Sequence, residues 1–440
     1  MLSHFRESAR QLFSINTIKL HLVFWLGAIL VGISVVVLTH GNELASDLFR
    51  QIYEYSVWLP FLLAPLGLAL TAWLTTTYFQ GSERSGIPQV KVALEITGDL
   101  SNRSALLSPR IIIGKILLTF TGLLSGASVG FGGPAVHIGA AIMTMLGRLS
   151  RFPAHYLERG LILAGSAAGF AAMFSAPLAG IVFAIEEMGR SLEEKTSGIV
   201  LTAIIFSGVT AFVLLDHTTY LGQYTTTFNW AENGLAVLIC GVICGATGAL
   251  FSNCVISGGK WISTIKWLTP VKTGLICGLI IAFLGFFSDG NSFGTGYRET
   301  LEILKHPESM DPLLPFYKIA SIITTFFSGI PSGIFVPSLT AGAALGADLA
   351  SWFPVAPATV MILMGVTAYF AGMLQSPLTA FVVVMEMSDA HELLLPLMAA
   401  AFIAAGTSRL ICPTPLYRAL CDAYSQHLER SDDKEQDDLK

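Results

Sequence analysis

The sequence contains two stretches, 200 positions apart, that share one pattern. Residues 167–186 read AAGFAAMFSAPLAGIVFAIE, and residues 367–386 read TAYFAGMLQSPLTAFVVVME. Each is an apolar segment that a proline interrupts and a carboxylate ends. Repeated hydrophobic segments with prolines at corresponding places are typical of membrane transport proteins, whose substrate site lies where the broken helices of two halves meet. The repeat therefore predicts two related halves with a site between them, rather than an enzyme cleft.

Composition indicates a protein that crosses a membrane several times. Hydrophobic residues make up 53% of the 440-residue chain and charged residues only 12%, with a mean hydropathy of +0.66. A soluble domain usually carries about 25% charged residues. Some apolar runs are long enough for a membrane span, whereas others are short and bounded by glycine or proline, which is typical of helices that are tilted or stop at mid-depth.

We divide the chain into four parts. These are an N-terminal membrane half (residues 1–217), a polar linker (218–232), a C-terminal membrane half (233–425) and a short acidic tail (426–440). The composition of the tail predicts disorder, because few of its residues could be buried in a core.

The charges that flank the two repeats predict opposite orientations in the membrane. The first repeat is followed by Arg190 and Lys195, whereas no lysine or arginine follows the second closely. Cytoplasmic loops carry an excess of lysine and arginine, so the first end should face the cytoplasm and the second should face outward. Arg6 and Arg10 likewise favour a cytoplasmic N-terminus. We therefore expect inverted halves in an inner membrane, with both termini cytoplasmic.

Three short motifs share one design, in which glycines precede a proline at the start of an apolar helix. They are Ser85-Gly86-Ile87-Pro88, Gly130-Phe131-Gly132-Gly133-Pro134 and Gly333-Ile334-Phe335-Val336-Pro337. The unpaired N–H groups at such helix starts, together with the positive end of the helix dipole, favour an anion. A single motif of this kind more often serves only close helix packing. Three such motifs in one chain that also contains an inverted repeat indicate an anion path.

With these motifs in place, the chain resembles the CLC family of chloride channels and proton/chloride antiporters over nearly its whole length. The family's G-S-G-I-P-E element resembles residues 84–89, although Arg84 and Gln89 depart from it, and the family's G-I-F-x-P element is intact at residues 333–337. The resemblance implies an all-α polytopic membrane protein of about 17–18 tilted and broken helices in two inverted halves. It also implies a homodimer in the lipid bilayer with one chloride path per subunit.

The resemblance further implies which residues bind chloride. The hydroxyls of Ser85 and Tyr417 would contact the ion, and backbone N–H groups of Ile334 and Phe335 would complete the site with the helix start at Gly86 and Ile87. A plain helix cap at Ser85 and an interfacial tyrosine at 417 are the simpler alternatives. A serine at position 85, rather than proline, favours chloride over nitrate within the family.

The main departure lies in the second motif. Where the family usually carries its gating glutamate this chain has Gly132, flanked by Phe131 in place of a basic residue and by Gly133. No carboxylate occurs between Asp99 and Glu158, so a shift of the alignment by one residue does not restore one. We therefore expect passive, channel-like chloride transport, with a proton-coupled antiporter for chloride or another anion that uses an unrecognised proton carrier as the alternative.

Several residues keep two interpretations at this stage. Glu187 matches the family's internal proton-transfer glutamate, but an ion-paired carboxylate is the simpler alternative. His137 could replace the missing carboxylate or merely hydrogen-bond within the bundle. Glu386 is more simply a trace of the shared ancestry of the halves than a chemical group. We predict neither an enzyme, since nothing marks Ser128 as an activated nucleophile, nor a cofactor, a metal site or a nucleic-acid surface.

Overall fold

The structure is a computed structural model that describes residues 15–96, 100–150, 154–189, 197–215, 219–265 and 267–438. Several residues used above to assign orientation, including Arg6, Arg10, Arg190 and Lys195, lie outside these ranges. Within the described ranges the regular structure is helical, apart from two isolated backbone bridges. The prediction of an all-α fold is confirmed.

The N-terminal half forms helices α1 to α9. Their bounds are α1 (Ile15–Tyr55), α2 (Pro60–Thr77), α3 (Ile87–Glu95), α4 (Leu100–Leu106), α5 (Pro109–Leu124), α6 (Gly132–Leu149), α7 (Ala154–Phe174), α8 (Pro177–Phe183) and α9 (Ser197–Leu214), with a single π turn at Ala184–Met188 after α8.

The C-terminal half forms helices α10 to α18. Their bounds are α10 (Trp230–Thr264), α11 (Pro270–Phe287), α12 (Tyr297–Lys305), α13 (Leu314–Phe327), α14 (Phe335–Trp352), α15 (Ala358–Leu374), α16 (Pro377–Ser388), α17 (Leu394–Ile411) and α18 (Leu416–Asp438), with short 3₁₀ turns before α13 and α17. Helix α18 extends into the acidic tail, where we predicted disorder. Once the buried start of α18 at Tyr417 is formed, each further residue adds a backbone hydrogen bond, which favours propagation of the helix.

Within the described residues, six helices are long and apolar enough to cross a membrane by length and composition. They are Lys19–Tyr55, Pro60–Thr77, Arg103–Leu124, Trp230–Thr264, Pro270–Phe287 and His391–Ile411. Shorter apolar helices accompany them, among them Leu314–Phe327 and Pro377–Ser388. The predicted mixture of long and short apolar helices is therefore confirmed.

The two repeats break their helices in the same way. Helices α7 and α15 end just before Ser175 and Gln375, which adopt left-handed backbone conformations with φ of 51° and 61°. Two residues later Pro177 and Pro377 begin α8 and α16. A proline cannot continue the preceding helix and restricts the residue before it, but it fits the first turn of a new helix.

A reciprocal pair of carboxylates joins the two breaks. Glu186 accepts hydrogen bonds from the backbone N–H groups of Leu378 and Thr379 at 3.1 and 2.6 Å, at the start of α16. Glu386 accepts from those of Leu178 and Ala179 at 3.2 and 2.8 Å, at the start of α8. Each carboxylate thus caps a helix of the other half, where the dipole favours negative charge.

This reciprocity means that the halves are related by a twofold axis, because a simple translation would not exchange the two contacts. The same relation appears in helix packing. A Cβ on Gly139 of α6 would lie 2.1 Å from the Gly165 carbonyl of α7, and one on Gly365 of α15 would lie 2.7 Å from the Gly342 carbonyl of α14. Glycine lets each pair of backbones touch, as is usual where helices pack in lipid.

Candidate functional site

Backbone hydrogen bonds join the segments that precede α6 and α14. Gly130 and Gly333 each donate an N–H group to the carbonyl of the other, both at 2.7 Å. A Cβ on Gly130 would lie 2.9 Å from the Gly333 carbonyl oxygen, so this approach requires glycine. The first turns of two helices from opposite halves therefore begin side by side.

The segment before α3 is fastened to the same place. The Arg84 N–H group donates to the Ile330 carbonyl at 3.1 Å, and the Ser332 N–H group donates to the Arg84 carbonyl at 3.0 Å. From α5 the buried side-chain nitrogen of Lys115 also donates to the Arg84 carbonyl, at 2.7 Å. Because a buried polar group is costly unless it is hydrogen-bonded, this contact holds the turn before Ser85 firmly.

Helix α3 also touches the start of α6. A Cβ on Gly133 would lie only 2.2 Å from the Ser85 hydroxyl oxygen. Gly86 has a φ of 101°, and a Cβ there would lie 2.8 Å from the Cβ of His137. A larger residue at either glycine would separate the helices. The three helix starts singled out from the sequence therefore meet at one place.

Backbone donors concentrate at this meeting point. Ile87 is the first residue of α3, Ile334 precedes α14 and Phe335 is its first residue; all three are buried. N–H groups in the first turn of a helix lack intrahelical partners, and the helix dipole places partial positive charge there. The region offers neutral donors and positive potential, which suits a small anion.

Two hydroxyls complete the donor set. The hydroxyls of Ser85 and Tyr417 are buried and close enough to interact, yet neither makes a hydrogen bond of normal geometry within the described residues. The Tyr417 ring stacks on that of Phe335 with centroids 5.9 Å apart and an interplanar angle of 15°. Buried hydroxyls without partners are costly, so these two fit a site that supplies an acceptor.

The gate position lies at the edge of this site. Gly132 is the first residue of α6 and is buried, as are Phe131 and Gly133. A Cβ on Gly132 would lie 3.0 Å from the Met173 sulfur and 3.2 Å from the Cβ of Phe335. The surroundings of the missing side chain are a thioether and a phenyl group, neither of which can take up a proton.

Glu187 lies in the π turn that follows α8. Its two carboxylate oxygens bind the Lys91 ammonium and the Ser376 hydroxyl, both at 2.7 Å. The side chain is only 7% exposed, so the Glu187 carboxylate is an ion-paired group largely enclosed by its neighbours rather than a solvated surface carboxylate. It links α3 to the start of α16 in the other half.

His137 lies one turn into α6, beside Gly86 of α3. Its Nε2 is 2.8 Å from the Leu106 carbonyl oxygen, which requires a proton on that nitrogen. Its Nδ1 is buried without a partner among the described residues. The nearest neighbours of Gly132 are Met173 and Phe335 rather than this imidazole, so the arrangement does not favour His137 as a substitute gate.

A comparison with known families identifies the chain. The sequence profile of the family described as voltage gated chloride channel matches residues 66–409, which is most of the chain. The chain belongs to the CLC family of chloride transport proteins. Its function is therefore chloride transport of the kind for which this family is described.

Curated relatives are similar over most of their length. An H(+)/Cl(−) exchange transporter, ClcA, of Cronobacter sakazakii is 31% identical over 400 residues, which cover 82% of this chain and 80% of the relative. ClcA of Yersinia pestis, strain Angola, is 29% identical over 84% of this chain and 78% of the relative. Their names favour the alternative of proton-coupled exchange over our first expectation of passive transport.

Solved structures of CLC proteins share the fold. A slow cyanobacterial Cl−/H+ antiporter matches with a TM-score of 0.78 and 23% identity, over 91% of this chain and 98% of the other. A CLC-type fluoride/proton antiporter matches with a TM-score of 0.75 and 21% identity, over 92% and 98% of the two chains. At these identities the likeness shows the fold alone.

Sequence reasoning missed two kinds of residue in this CLC site. Lys115 was visible as a lone lysine in an apolar helix, which is a usual mark of function within a membrane, but its contact with the Arg84 carbonyl was not predictable. Met173 was visible only as half of the repeated pair with Met373. Its position against Gly132 depends on how α7 packs on α6, which no pattern in the sequence specifies.

Proposed function

We propose that this protein carries chloride through the membrane past an anion site formed by the hydroxyls of Ser85 and Tyr417 and by first-turn backbone N–H groups at Gly86, Ile87, Ile334 and Phe335. The observation that carries this proposal is the pair of buried hydroxyls at the point where three helix starts meet, neither of which makes a hydrogen bond of normal geometry among the described residues. All of these donors are neutral. They can attract a small anion without holding it as tightly as a full positive charge would, and transport needs both entry and release.

For the mode of transport we propose passive flow. Proton coupling needs a group that binds a proton in one state and blocks the anion in another, and Gly132 has no side chain. The nearest side chains, Met173 and Phe335, do not titrate. With Gly132 and these neighbours at the gate position, a bound anion would be displaced by other anions rather than by a carboxylate.

Proton/chloride exchange is the second candidate, which the names of the ClcA relatives favour. It requires a proton carrier other than residue 132, and Glu187 is the carboxylate that the family resemblance designates. Its contacts with Lys91 and Ser376 hold its carboxylate in place. Such a group could pass a proton only if these contacts open during the cycle.

One experiment separates the two modes. Purified protein in liposomes is given an outward chloride gradient, and chloride and protons are recorded together. Passive flow predicts chloride efflux with no proton uptake once the voltage is clamped by valinomycin and potassium. A fixed, nonzero proton-to-chloride ratio, with protons driven uphill, would establish exchange instead. Absence of chloride flux would contradict the transport proposal itself.

We further propose that the protein is a homodimer of the inner membrane, with both termini in the cytoplasm and one path per subunit. By resemblance to the family, residues 199–215 and 399–411, which lie almost entirely in helices α9 and α17, are the candidate dimer faces. These two helices expose large apolar side chains such as Phe206, Val209 and Phe402. Another membrane-embedded chain could cover these faces. The mass of the detergent-solubilised protein, measured by light scattering, tests the dimer.

A further inference from the structure

The space beside Gly132 is occupied by a side chain from another helix. A Cβ on Gly132 would lie 3.0 Å from the Met173 sulfur and 3.4 Å from its terminal methyl carbon, closer than ordinary van der Waals contact in the first case. Met173 belongs to the last turn of α7 and has no exposed surface. Its thioether therefore reaches the volume where a side chain at position 132 would begin.

Aromatic contacts connect the helix that carries Met173 to the proposed anion site. Phe170, one turn before Met173, lies 5.5 Å from Phe335 between ring centroids, and Phe335 in turn stacks on Tyr417 at 5.9 Å. The same Phe335 supplies a first-turn N–H group to the proposed anion site. The Met173 side chain is consequently next to the path and not deep in an unrelated part of the core.

The repeat provides an internal comparison. Met373 occupies the corresponding place in the second half, and its sulfur accepts a hydrogen bond from the Ser338 hydroxyl at 3.3 Å. The residue that corresponds to Ser338 in the first half is Ala135, one position after Pro134 as Ser338 is one position after Pro337. Alanine has no donor, so no hydrogen bond of this kind fixes the Met173 sulfur.

Methionine is suited to a movable closure. Its unbranched side chain has three rotatable bonds and fills irregular gaps. An apolar constriction stops ions by excluding water, and a change of rotamer that admits water opens it. A closure of this kind carries no charge and cannot bind a proton.

We propose that Met173 is the gate of this protein, with its thioether in the place of the absent side chain at Gly132. The proposal rests on the proposed anion path. Met173 would limit the rate of anion passage by its size and its apolar character. Met373, whose sulfur accepts a hydrogen bond from the Ser338 hydroxyl, would contribute only to packing.

Chloride efflux from liposomes tests the gate with four variants. Met173→Ala removes most of the closure and should raise the chloride rate about tenfold, which corresponds to about 1.4 kcal/mol of barrier. Met173→Gln keeps the length but adds polar atoms and should also raise the rate. Met173→Leu, of similar volume and also apolar, should stay within about twofold of the unmodified protein. Met373→Ala is the matched control and should likewise change the rate by less than about twofold.

The outcomes distinguish this proposal from the proposed function. In the first outcome, the unmodified protein transports chloride, and Met173→Ala and Met173→Gln both elute as folded protein with unchanged chloride rates. Met173 is then not a gate, but the proposed anion path is not contradicted. If neither the unmodified protein nor any variant moves chloride, the path and the gate are both wrong. Equal acceleration by Met173→Ala and Met373→Ala would indicate general loosening of the core and would also overturn the gate.

Discussion

Returning a carboxylate to position 132 should slow chloride transport and make it depend on pH. In Gly132→Glu the new Cβ meets the Met173 sulfur at 3.0 Å and the Phe335 Cβ at 3.2 Å. A shift of a few tenths of an ångström relieves both contacts, and the methionine side chain is flexible enough to provide it. The variant should therefore fold, with its carboxylate able to reach the first-turn N–H groups of Ile334 and Phe335.

The size of the effect follows from these donors. A hydrogen bond to a charged group contributes about 1.5–3 kcal/mol, so two of them would hold the carboxylate in the anion site by roughly 3 kcal/mol at the lower end. Chloride must displace it, which corresponds to a rate roughly a hundredfold lower. The ionised form blocks the site and the protonated form does not, so the rate should rise as the pH falls toward the ordinary range of a carboxyl group.

The assay is chloride efflux from liposomes between pH 4 and pH 7.5, with Gly132→Gln as the control. The glutamine fills nearly the same volume without a charge, and its rate should not change with pH. If the glutamate and glutamine variants have the same rate throughout this range, residue 132 does not face the anion path. The reasoning from the three helix starts would then be wrong for α6.

Two further predictions concern the donor set and the reciprocal caps. Ser85→Ala should weaken chloride binding by about twofold to tenfold, as expected for the loss of one neutral hydrogen bond; an unchanged dissociation constant in isothermal titration calorimetry would remove Ser85 from the site. Glu386→Gln should lower the unfolding free energy by about 1 kcal/mol, because the start of α8 loses a charged cap, and Glu186→Gln should do the same for α16. Thermal unfolding in detergent measures both, and an unchanged midpoint in either variant would contradict the capping role.

The parts of this fold that were predictable come from short-range chemistry. Proline and glycine placed the starts of α3, α6 and α14, since these residues limit backbone conformation wherever they occur. The repeat around Pro177 and Pro377 predicted two related halves. Glu186 and Glu386 could be identified from the sequence as the last residues of the repeats. Their crossed contacts could not be predicted, because they depend on a twofold relation between the halves for which the sequence gives only weak evidence.

The parts that were not predictable depend on distant contacts. Met173 meets Gly132 only because α7 packs against α6 through paired glycines. Lys115 follows Arg84 by 31 residues and binds its carbonyl rather than a partner of opposite charge. The helix over the acidic tail was not predicted for another reason. The composition of the tail indicates only that few of its residues can be buried, and it does not indicate that α18, which begins before the tail, continues into it.

The crossed caps have a consequence for how the chain is made. When the first half enters the bilayer during synthesis, the N–H groups at the start of α8 have no cap yet. The Glu386 carboxylate that caps them is 208 residues further along the chain than Leu178. Open donors in a lipid environment cost several kcal/mol, so this helix start cannot settle into its final surroundings during that interval. Two copies of a half-length precursor, however, could supply the missing carboxylates to each other at once. In the present single chain the same crossed contacts form between the two halves, so neither half has its helix caps until the other half is made.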